Sequence, residues 1–469
     1  MKRAPRSGIV RRDPAAPRHE SRPIPVDPKL AAREVAFQVV SDVFGEEKRG
    51  AQAAFDVRAR GAELDGRDRG FAAEIAYGSI KWRRLIDYYL APYLSERERP
   101  VTIAIAEVLR IGVYQLRFMS GVDDHAAVSE TVNLAWKHGH KGTAGLVNAV
   151  LRRMIADGAP ELAIDTFKNQ NDYFGTKYSM PSWIAGQYVA SYPDVAEAAM
   201  AGVNLAPQHA IRVNGLRSDV PTVLEELVAR GIDVVRSPYV PESLIVDAGA
   251  LGDDPHGRWS VQGEAAAMVV DLLDPMLGET ILEMCSGRGN KTVQIAARLG
   301  GTGNLVCVEI DDRKIRVLRE TLERCGVADV GIVTGDARTA ATEVAAHAVL
   351  LDAPCSGTGI IGRHPEARWR KTPGDGSGSR SCRANSFARP QRVHFPAGGS
   401  RIVSARATCA KGAPSSMRFS RRIPRSRAWR CPSATHRSRA MGTSSFRQAS
   451  MDEMDSLSRR SCASANRTS

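Results

Sequence analysis

The motif DAPCSGTG (352–359) places an acid, Asp352, three residues before a cysteine, Cys355, in a turn of small residues. A cysteine thiolate is a strong nucleophile that can form a covalent adduct with an electrophilic carbon. A neighbouring acid can stabilise the charge that develops as such an adduct forms. The motif follows the apolar run AVLL (348–351), which predicts a strand. The alternative is a small core cysteine in a tight turn, and the motif favours the reactive cysteine.

A second group of candidate residues forms a Gly-rich turn after another predicted strand, ETILEM (279–284). Such a turn lets the backbone approach a ligand closely and opens the N-terminus of the following helix toward it. The residues predicted to contact a cofactor here are Cys285, Ser286, Gly287, Arg288, Gly289, Asn290 and Lys291.

Two acids follow the next two predicted strands. Glu309 ends the strand NLVCVE, 24 residues after Cys285, and an acid at this place can accept hydrogen bonds from both ribose hydroxyls of a nucleoside. Asp336 follows the strand VGIVT and can meet the adenine amino group. Loops at the carboxyl ends of successive strands predict one nucleoside-cofactor pocket, which Asp352 also lines.

Methylation of cytosine at carbon 5 fits both groups of residues. Carbon 5 is a poor nucleophile, so a thiolate first adds to carbon 6, and the resulting enamine attacks a methyl sulfonium such as that of S-adenosylmethionine. An acid near ring nitrogen 3 stabilises the charge that develops. We expect Cys355 and Asp352 to do this work. Cys285, Cys307 and Cys325 are expected to be packing residues.

The net charge of +13 is not evidence for nucleic-acid binding by the whole chain, because it is unevenly distributed. Residues 373–469 hold 19 Lys and Arg against 4 Asp and Glu, a net of +15, which leaves −2 for residues 1–372. No apolar run reaches 18 residues, so no membrane span is expected. No cysteine or histidine pair has metal-ligand spacing, and cysteine usage favours a reducing cytoplasm.

The sequence pattern predicts a multidomain chain. Residues 1–27 are a basic arm predicted to be disordered, and residues 28–155 an all-α domain of six or seven helices. Residues 156–258 are predicted to hold a junction and an α+β subdomain, in which HAIRVNG and SLIVDAG are strands that flank a helix. Residues 259–373 alternate strand and helix and predict an α/β, Rossmann-like core.

Residues 374–469 differ in character from everything before them. From Pro373 onward the chain has one Leu and 20 Ser, and no helix or strand period is visible, which predicts disorder. A genuine Arg/Ser-rich tail that binds RNA and a reading-frame error are the two alternatives. The error is favoured, because a Rossmann-type sheet of four strands would lack its far edge.

Residues 28–373 resemble the bacterial 16S rRNA cytosine-5 methyltransferases of the RsmB (Sun/Fmu) type, whose N-terminal part is similar to the antitermination factor NusB. The resemblance rests on DRGF (68–71), LRIGVYQL (109–116), HAAV (125–128), VNAVLR (147–152), RVN (212–214), VQGEAA (261–266), CSGRGNK (285–291) and DAPCSGTG (352–359). It implies a helical RNA-binding domain, S-adenosylmethionine as cofactor, ribosomal RNA as partner, and a cytoplasmic, monomeric enzyme without metal.

The chain departs from this family in two places. The cofactor loop has Arg288-Gly289-Asn290-Lys291 where the family has Pro-Gly-Gly-Lys. The family also carries a second cysteine, its usual nucleophile, in a Thr-Cys-Ser motif after a fifth strand, while the Pro-Cys cysteine assists product release. Here Thr408-Cys409-Ala410 follows Cys355 by 54 residues, with no visible strand around it. Cys409 is therefore a further catalytic candidate, and an impaired enzyme is an alternative.

Two other functions stay open at this point. One is a NusB-like RNA-binding protein with an inactive methyltransferase domain, and the other is a transfer-RNA cytosine-5 methyltransferase, which usually lacks the NusB-like domain. The candidate contacts with RNA phosphates are Lys81, Arg83, Arg84, Lys137 and Lys141. Each of them could equally be a solvated surface charge.

Overall fold

The computed structural model describes residues 28–94, 100–246, 251–337, 339–340, 343–353, 357–374 and 401–404. Its N-terminal part is helical, as the sequence predicts, and none of the described helices is long and apolar enough to cross a membrane. The predicted basic arm, residues 1–27, lies outside the described residues. The helices of this part are α1 Pro28–Phe44, α2 Ala51–Gly61, α3 Gly66–Lys81, α4 Arg83–Leu94, α5 Ile103–Phe118, α6 Asp124–His138 and α7 Lys141–Asp157.

Helix α5 lies at the centre of this helical part. Its residues 105–115 are all buried, as expected of a helix enclosed on every side, and it packs against α1, α3, α6 and α7. The helix begins after Thr102, whose hydroxyl accepts a hydrogen bond from the Ile105 N–H. Its buried Arg110 lies 2.9 Å from Glu107 and 2.7 Å from Asp87. Because these charges pair with one another, burying them leaves no isolated ion.

A four-stranded antiparallel sheet in the order β2-β3-β1-β4 follows, after three helices that the sequence analysis did not identify. The strand β1 pairs with β3 and β4. The Rossmann-like core was predicted to begin at Trp259. The strand β4 begins at this residue but pairs with β1 of the antiparallel sheet. The proposed domain boundaries stay predictions. The elements are α8 Gln170–Lys177, α9 Ser182–Ser191, α10 Ala196–Asn204, β1 His209–Val213, α11 Val220–Ala229, β2 Val234–Arg236, β3 Ser243–Val246 and β4 Trp259–Val261.

The C-terminal part contains a five-stranded sheet in the order β7-β6-β5-β8-β9, and all of its strand pairs are parallel. The predicted α/β, Rossmann-like fold is confirmed. The strand order reverses at β5, and ligands of such sheets bind at the carboxyl ends of the strands near that point. The elements are α12 Glu264–Leu273, β5 Thr280–Met284, α13 Asn290–Leu299, β6 Asn304–Glu309, α14 Asp312–Cys325, β7 Val330–Thr334, β8 Ala348–Leu351, α15 Ala367–Arg370 and β9 Arg401–Ser404.

The strand β9 corrects the expectation that residues 374–469 contain no strand. It pairs in parallel with β8 from Ala348 with Arg401 to Leu351 with Ser404, and Val403 is buried in the core of the sheet. The sheet therefore has a strand beyond β8, where the sequence analysis expected its edge to be missing. The strand was missed because RIVS holds only two apolar residues, which is too short a run to show a period. Residues 375–400 and 405–469 lie outside the described part of the chain.

The packing of α3 against α5 generates a stability prediction. A Cβ atom added at Gly78 would lie 1.9 Å from Tyr114 Cζ, whereas one added at Gly70, in the same helix, would meet nothing within 4 Å. We expect Gly78→Ala to lower the free energy of unfolding by about 1–3 kcal/mol through overpacking. Gly70→Ala should raise it by up to about 1 kcal/mol, because alanine favours helix. Urea unfolding of both variants checks this, and equal effects would contradict the packing.

Candidate active site

The loop between β5 and α13 requires glycine where the backbone is left-handed. Gly287 and Gly289 adopt φ angles of 64° and 91°, which glycine takes without strain. A Cβ at Gly289 would lie 2.6 Å from Leu318 Cδ1, so glycine also allows the loop to pack against α14. Cys285 adopts φ 60° although it is not glycine, and such strained residues cluster at functional sites. The loop thus opens the N-terminus of α13 at the carboxyl edge of the sheet.

Glu309, at the end of β6, holds this loop. Its Oε2 accepts a hydrogen bond from the Gly287 N–H at 2.9 Å, and its Oε1 accepts from the N–H groups of Ile310 and Asp311 at 3.0 and 3.1 Å. The side chain is nearly buried. A carboxylate offers about four acceptor sites, so three backbone bonds leave capacity for a ligand hydroxyl. The carboxylate predicted to bind ribose therefore also closes the Gly-rich loop.

The ends of β7 and β8 join the same edge. The Gly335 N–H donates to the Glu309 carbonyl at 3.0 Å, which places the neighbouring Asp336 beside the end of β6. After β8, the Lys291 ammonium lies 2.6 Å from Asp352 Oδ2. This ion pair ties the first turn of α13 to the start of the 352–359 motif. The structure thus brings Gly287, Lys291, Glu309, Asp336 and Asp352 to one edge of the sheet.

A buried polar cluster beneath the loop was missed by the sequence analysis. Glu283, in β5, is 1% exposed and accepts a hydrogen bond from Thr292 Oγ1 at 2.6 Å. Cys307 Sγ lies 3.5 Å from the same carboxyl oxygen. Burial raises the pKa of Glu283 to about 7 and raises that of the Cys307 thiol well above its ordinary value. An acid inside the otherwise apolar run TILEM was the available signal.

The five cysteines that were considered as packing residues or catalytic candidates divide into three groups. Cys307 and Cys325 are buried in the core of the sheet, as expected of packing residues. Cys285 is only partly buried, in the strained loop, so its role as a packing residue or a cofactor contact stays a prediction. The two catalytic candidates, Cys355 and Cys409, lie outside the described residues.

Three of the five candidate phosphate contacts make contacts within the protein. Arg83 pairs with Glu107 at 2.8 Å, and Lys81 donates to the Asn204 carbonyl at 3.1 Å. Arg84 donates to Met180 O at 2.8 Å and to other groups of the segment 172–182. These side chains are therefore not freely solvated, and a contact of Lys81, Arg83 or Arg84 with phosphate stays a prediction. Lys137 lies 3.5 Å from Glu34, and Lys141 is exposed.

Family profiles match three parts of the chain. The NusB family matches residues 30–156, and the ferredoxin-like domain of the RsmF/B-like methyltransferases matches residues 180–250. The 16S rRNA methyltransferase RsmB/F family matches residues 270–382. No group of three or more His, Cys, Asp or Glu side chains that could hold a metal occurs in the part of the chain that the structure describes.

Curated relatives extend the similarity over most of the chain. A ribosomal RNA small subunit methyltransferase B from Pseudomonas putida is 30% identical over 357 residues, 75% of this chain and 79% of the relative. A protein of the same name from Thermus thermophilus is 32% identical over 329 residues, 69% of this chain and 71% of the relative. The crystal structure of PH0851 shares the fold with a TM-score of 0.61 and 24% identity, over 81% of this chain and 86% of that one.

The buried acid under the loop generates a pH prediction. Because the folded-state pKa of Glu283 is about 7 against an ordinary value of 4.5, the folded chain retains a proton that the unfolded chain releases between these pH values. Its contribution to stability therefore falls as pH rises from about 4.5 to 7, by on the order of 3 kcal/mol, and then levels off.

Glu283→Gln removes this titration while its amide oxygen can still accept from Thr292. Urea unfolding at several pH values should give a wild-type free energy that declines across this window relative to the variant. Parallel pH profiles of the two proteins would contradict the assignment, because every other titrating group is common to both.

Proposed function

The chain belongs to the family of ribosomal RNA small subunit methyltransferase B, and from that premise we propose that it methylates carbon 5 of cytosine in 16S rRNA through a covalent cysteine adduct. It is an S-adenosylmethionine-dependent rRNA methyltransferase with a helical NusB-like domain. The proposal of cytosine methylation through a cysteine adduct rests on the position of the 352–359 motif, which begins with Asp352. It follows β8 directly, next to the Gly-rich loop to which Lys291 joins it.

The residues of the cofactor site fit S-adenosylmethionine. When bound, this cofactor supplies an electrophilic methyl group on a sulfonium. Glu309 retains acceptor capacity for a ribose hydroxyl, and Asp336 follows the adjacent strand, where an adenine amino group would lie. The left-handed glycines 287 and 289 allow the backbone to approach the ligand. The remaining proposed contacts are Cys285, Ser286, Arg288, Asn290, Lys291 and Asp352.

The chain's own residues account for activation of the base. A thiolate adds to carbon 6 of a cytosine that is flipped from its stack, and carbon 5 becomes nucleophilic as an enamine. Asp352, the first residue of the 352–359 motif, stabilises the charge that develops on the ring at nitrogen 3. After methyl transfer, loss of the proton from carbon 5 lets the carbon–sulfur bond break and restores the thiolate.

The strand β9 supports Cys409 as the adding thiolate. Because β8 and β9 are parallel, the carboxyl end of β9 at Ser404 lies at the same edge as Asp352. Cys409 follows Ser404 by five residues. Five residues of fully extended chain reach about 17 Å, which is the largest distance that can separate the two residues. Cys355 is the second candidate, within the motif itself. We propose Cys409 as the nucleophile and Cys355 as the thiol that assists release, as the family resemblance implies.

The names of the relatives favour ribosomal over transfer RNA, and we propose that the enzyme acts as a cytoplasmic monomer. Lys141 is exposed at the start of α7 and stays a candidate phosphate contact. The ammonium of Lys137 lies 3.5 Å from the Glu34 carboxylate, so we expect Lys137 to contribute less to RNA binding than Lys141 does.

Glu309 tests the cofactor pocket. Glu309→Ala should weaken binding of S-adenosylmethionine by roughly 1.5–3 kcal/mol for each charge-assisted hydrogen bond that is lost, because it removes both the ribose acceptor and the tether of Gly287. Isothermal titration calorimetry measures this. Glu320→Ala, on the exposed side of the following helix α14, is the matched control and should bind as the wild type does. Unchanged affinity in Glu309→Ala would remove Glu309 from the pocket.

The two candidate thiols are separated by comparing methyl transfer to 16S rRNA by the wild type, Cys409→Ala and Cys355→Ala. Positioning contributes on the order of 7–11 kcal/mol in oriented reactions, so loss of the nucleophile should reduce turnover to background. The proposal expects this loss in Cys409→Ala, together with loss of the covalent RNA complex on a denaturing gel.

Each other outcome has a definite meaning. Loss of transfer only in Cys355→Ala would assign the nucleophile to the 352–359 motif. Full activity of both variants would rule out an adduct to Cys355 or Cys409. A wild type that binds S-adenosylmethionine but transfers no methyl would support the alternative of an RNA-binding protein with an inactive methyltransferase domain.

A further inference from the structure

The segment after the 352–359 motif leaves the methyltransferase sheet and packs on the N-terminal half of the chain. It runs from Ile360 through α15 to Arg370. With four residues, α15 is too short to be stable alone. Its conformation therefore depends on what it packs against, and those partners belong to the helical domain and to α8–α10.

Arg368 is the centre of this packing. Its side chain is fully buried, and its guanidinium donates to the carbonyls of Ser179 at 3.0 Å and Ile361 at 3.1 Å, and to Asn204 Oδ1 at 2.9 Å. A longer contact of 3.4 Å reaches the carbonyl of Lys81. No carboxylate among the described residues forms an ion pair with it. Burying a cation that only neutral oxygens bind costs free energy, and the cost rises if its hydrogen bonds lengthen or break. The Arg368 hydrogen bonds therefore hold α15 in one position.

The neighbours of Arg368 bind the same surface of the helical domain. Trp369 Nε1 donates to the carbonyl of Ile80 at 2.7 Å, and its ring packs against the core of the helical domain. Arg370 donates to the carbonyl of Val43 at 2.9 Å. These bonds use backbone carbonyls at the ends of α1 and α3.

Two contacts extend the attachment toward the motif. The Ala51 N–H, at the start of α2, donates to Glu366 Oε1 at 3.1 Å. Ile361 is fully buried in a cluster with Phe174, Met180 and Met200. Ile361 follows Gly359, the last residue of the motif, by only two residues, so the attachment begins where the motif ends.

The described residues before and after 354–356 are thus held by different parts of the chain. On one side, Asp352 continues β8, with its N–H bonded to the Met284 carbonyl at 3.2 Å and its carboxylate bonded to Lys291. On the other side, Ile361 and Arg368 are bound to the N-terminal half of the chain. We propose that Arg368 is a positioning residue, and that through it the NusB-like domain and α8–α10 hold the 352–359 motif in register with the cofactor site. This inference rests on the proposed function of that motif.

This proposal gives the helical domain a role besides RNA binding. The Gly-rich loop, Glu309 and Asp336 are held by contacts within the sheet, so cofactor binding needs no contribution from α15. The position of the 352–359 motif depends on contacts with both the sheet and the helical domain. Loss of the Arg368 contacts should therefore slow methyl transfer without weakening binding of S-adenosylmethionine or of RNA.

The experiment uses the full chain and compares Arg368→Met, Arg368→Lys and a control, Arg117→Met. Arg117 is a partly buried arginine of the helical domain that donates to the Met154 carbonyl and has no described contact with residues 357–370. The readouts are kcat and KM for 16S rRNA, the Kd of S-adenosylmethionine, and hydrogen exchange of the peptide 357–366 by mass spectrometry.

We expect Arg368→Met to lower kcat by about 10–100-fold, because small displacements of reacting groups cost that much. KM for RNA and the Kd of S-adenosylmethionine should stay within about twofold of the wild type, and the peptide 357–366 should exchange faster. Arg368→Lys should be intermediate, since it restores the charge but not the planar fork. Arg117→Met should leave kcat and the exchange of this peptide unchanged.

Unchanged kcat in a folded Arg368→Met protein, an equal loss in Arg117→Met, or a parallel loss of cofactor affinity would overturn the proposal. If Arg368→Met does not fold, Trp369→Phe, which deletes the hydrogen bond to the Ile80 carbonyl, takes its place. We then expect the same result, a lower kcat and an unchanged Kd of S-adenosylmethionine. If the wild type transfers no methyl, the proposed function fails, and the exchange measurement then decides alone. Faster exchange of 357–366 only in the Arg368 variants supports the attachment, and equal exchange in all variants refutes it.

Discussion

Parallel pairing of β5 with β6 on one side and with β8 on the other is the constraint from which the site follows. In register, Met284 lies beside Val308 and Leu351, so the three strands end together at one edge. The chain leaves each strand there into a loop that carries a polar group. Two short contacts then join the loops, from Gly287 to Glu309 and from Lys291 to Asp352. The cofactor site and the thiol motif are adjacent because the strands that carry them are adjacent.

Local features of this arrangement could be predicted from the sequence. Apolar runs marked the strands, glycines marked the left-handed turn at Gly287 and Gly289, and acids at strand ends marked Glu309 and Asp352. These signals are contained in short windows of sequence, and the parallel sheet brings such windows together in a known way. The helical domain was predictable for a similar reason, since a helix such as α1 shows its apolar period over many residues.

Contacts between residues far apart in sequence could not be predicted. Arg368 binds a carbonyl at Ser179, 189 residues earlier, and no local pattern announces such a partner. The same limitation applies to Lys81, Arg83 and Arg84, whose basic run gives no sign of its partners at Glu107 and in the segment 172–182. The strand β9 was hidden for a different reason, because the composition around it predicts no ordered structure and the strand itself is only four residues long.

The central claim is that the three strand-end loops form one cofactor pocket beside the thiol motif. A crystal structure of the chain with S-adenosylhomocysteine tests it most directly. We expect a ribose hydroxyl at the Glu309 carboxylate, the adenine beside Asp336, and the sulfur on the side of Lys291 and Asp352, facing the 352–359 motif. A ligand bound away from the carboxyl edge of β5 and β6, or one whose sulfur faces away from Asp352, would contradict the account.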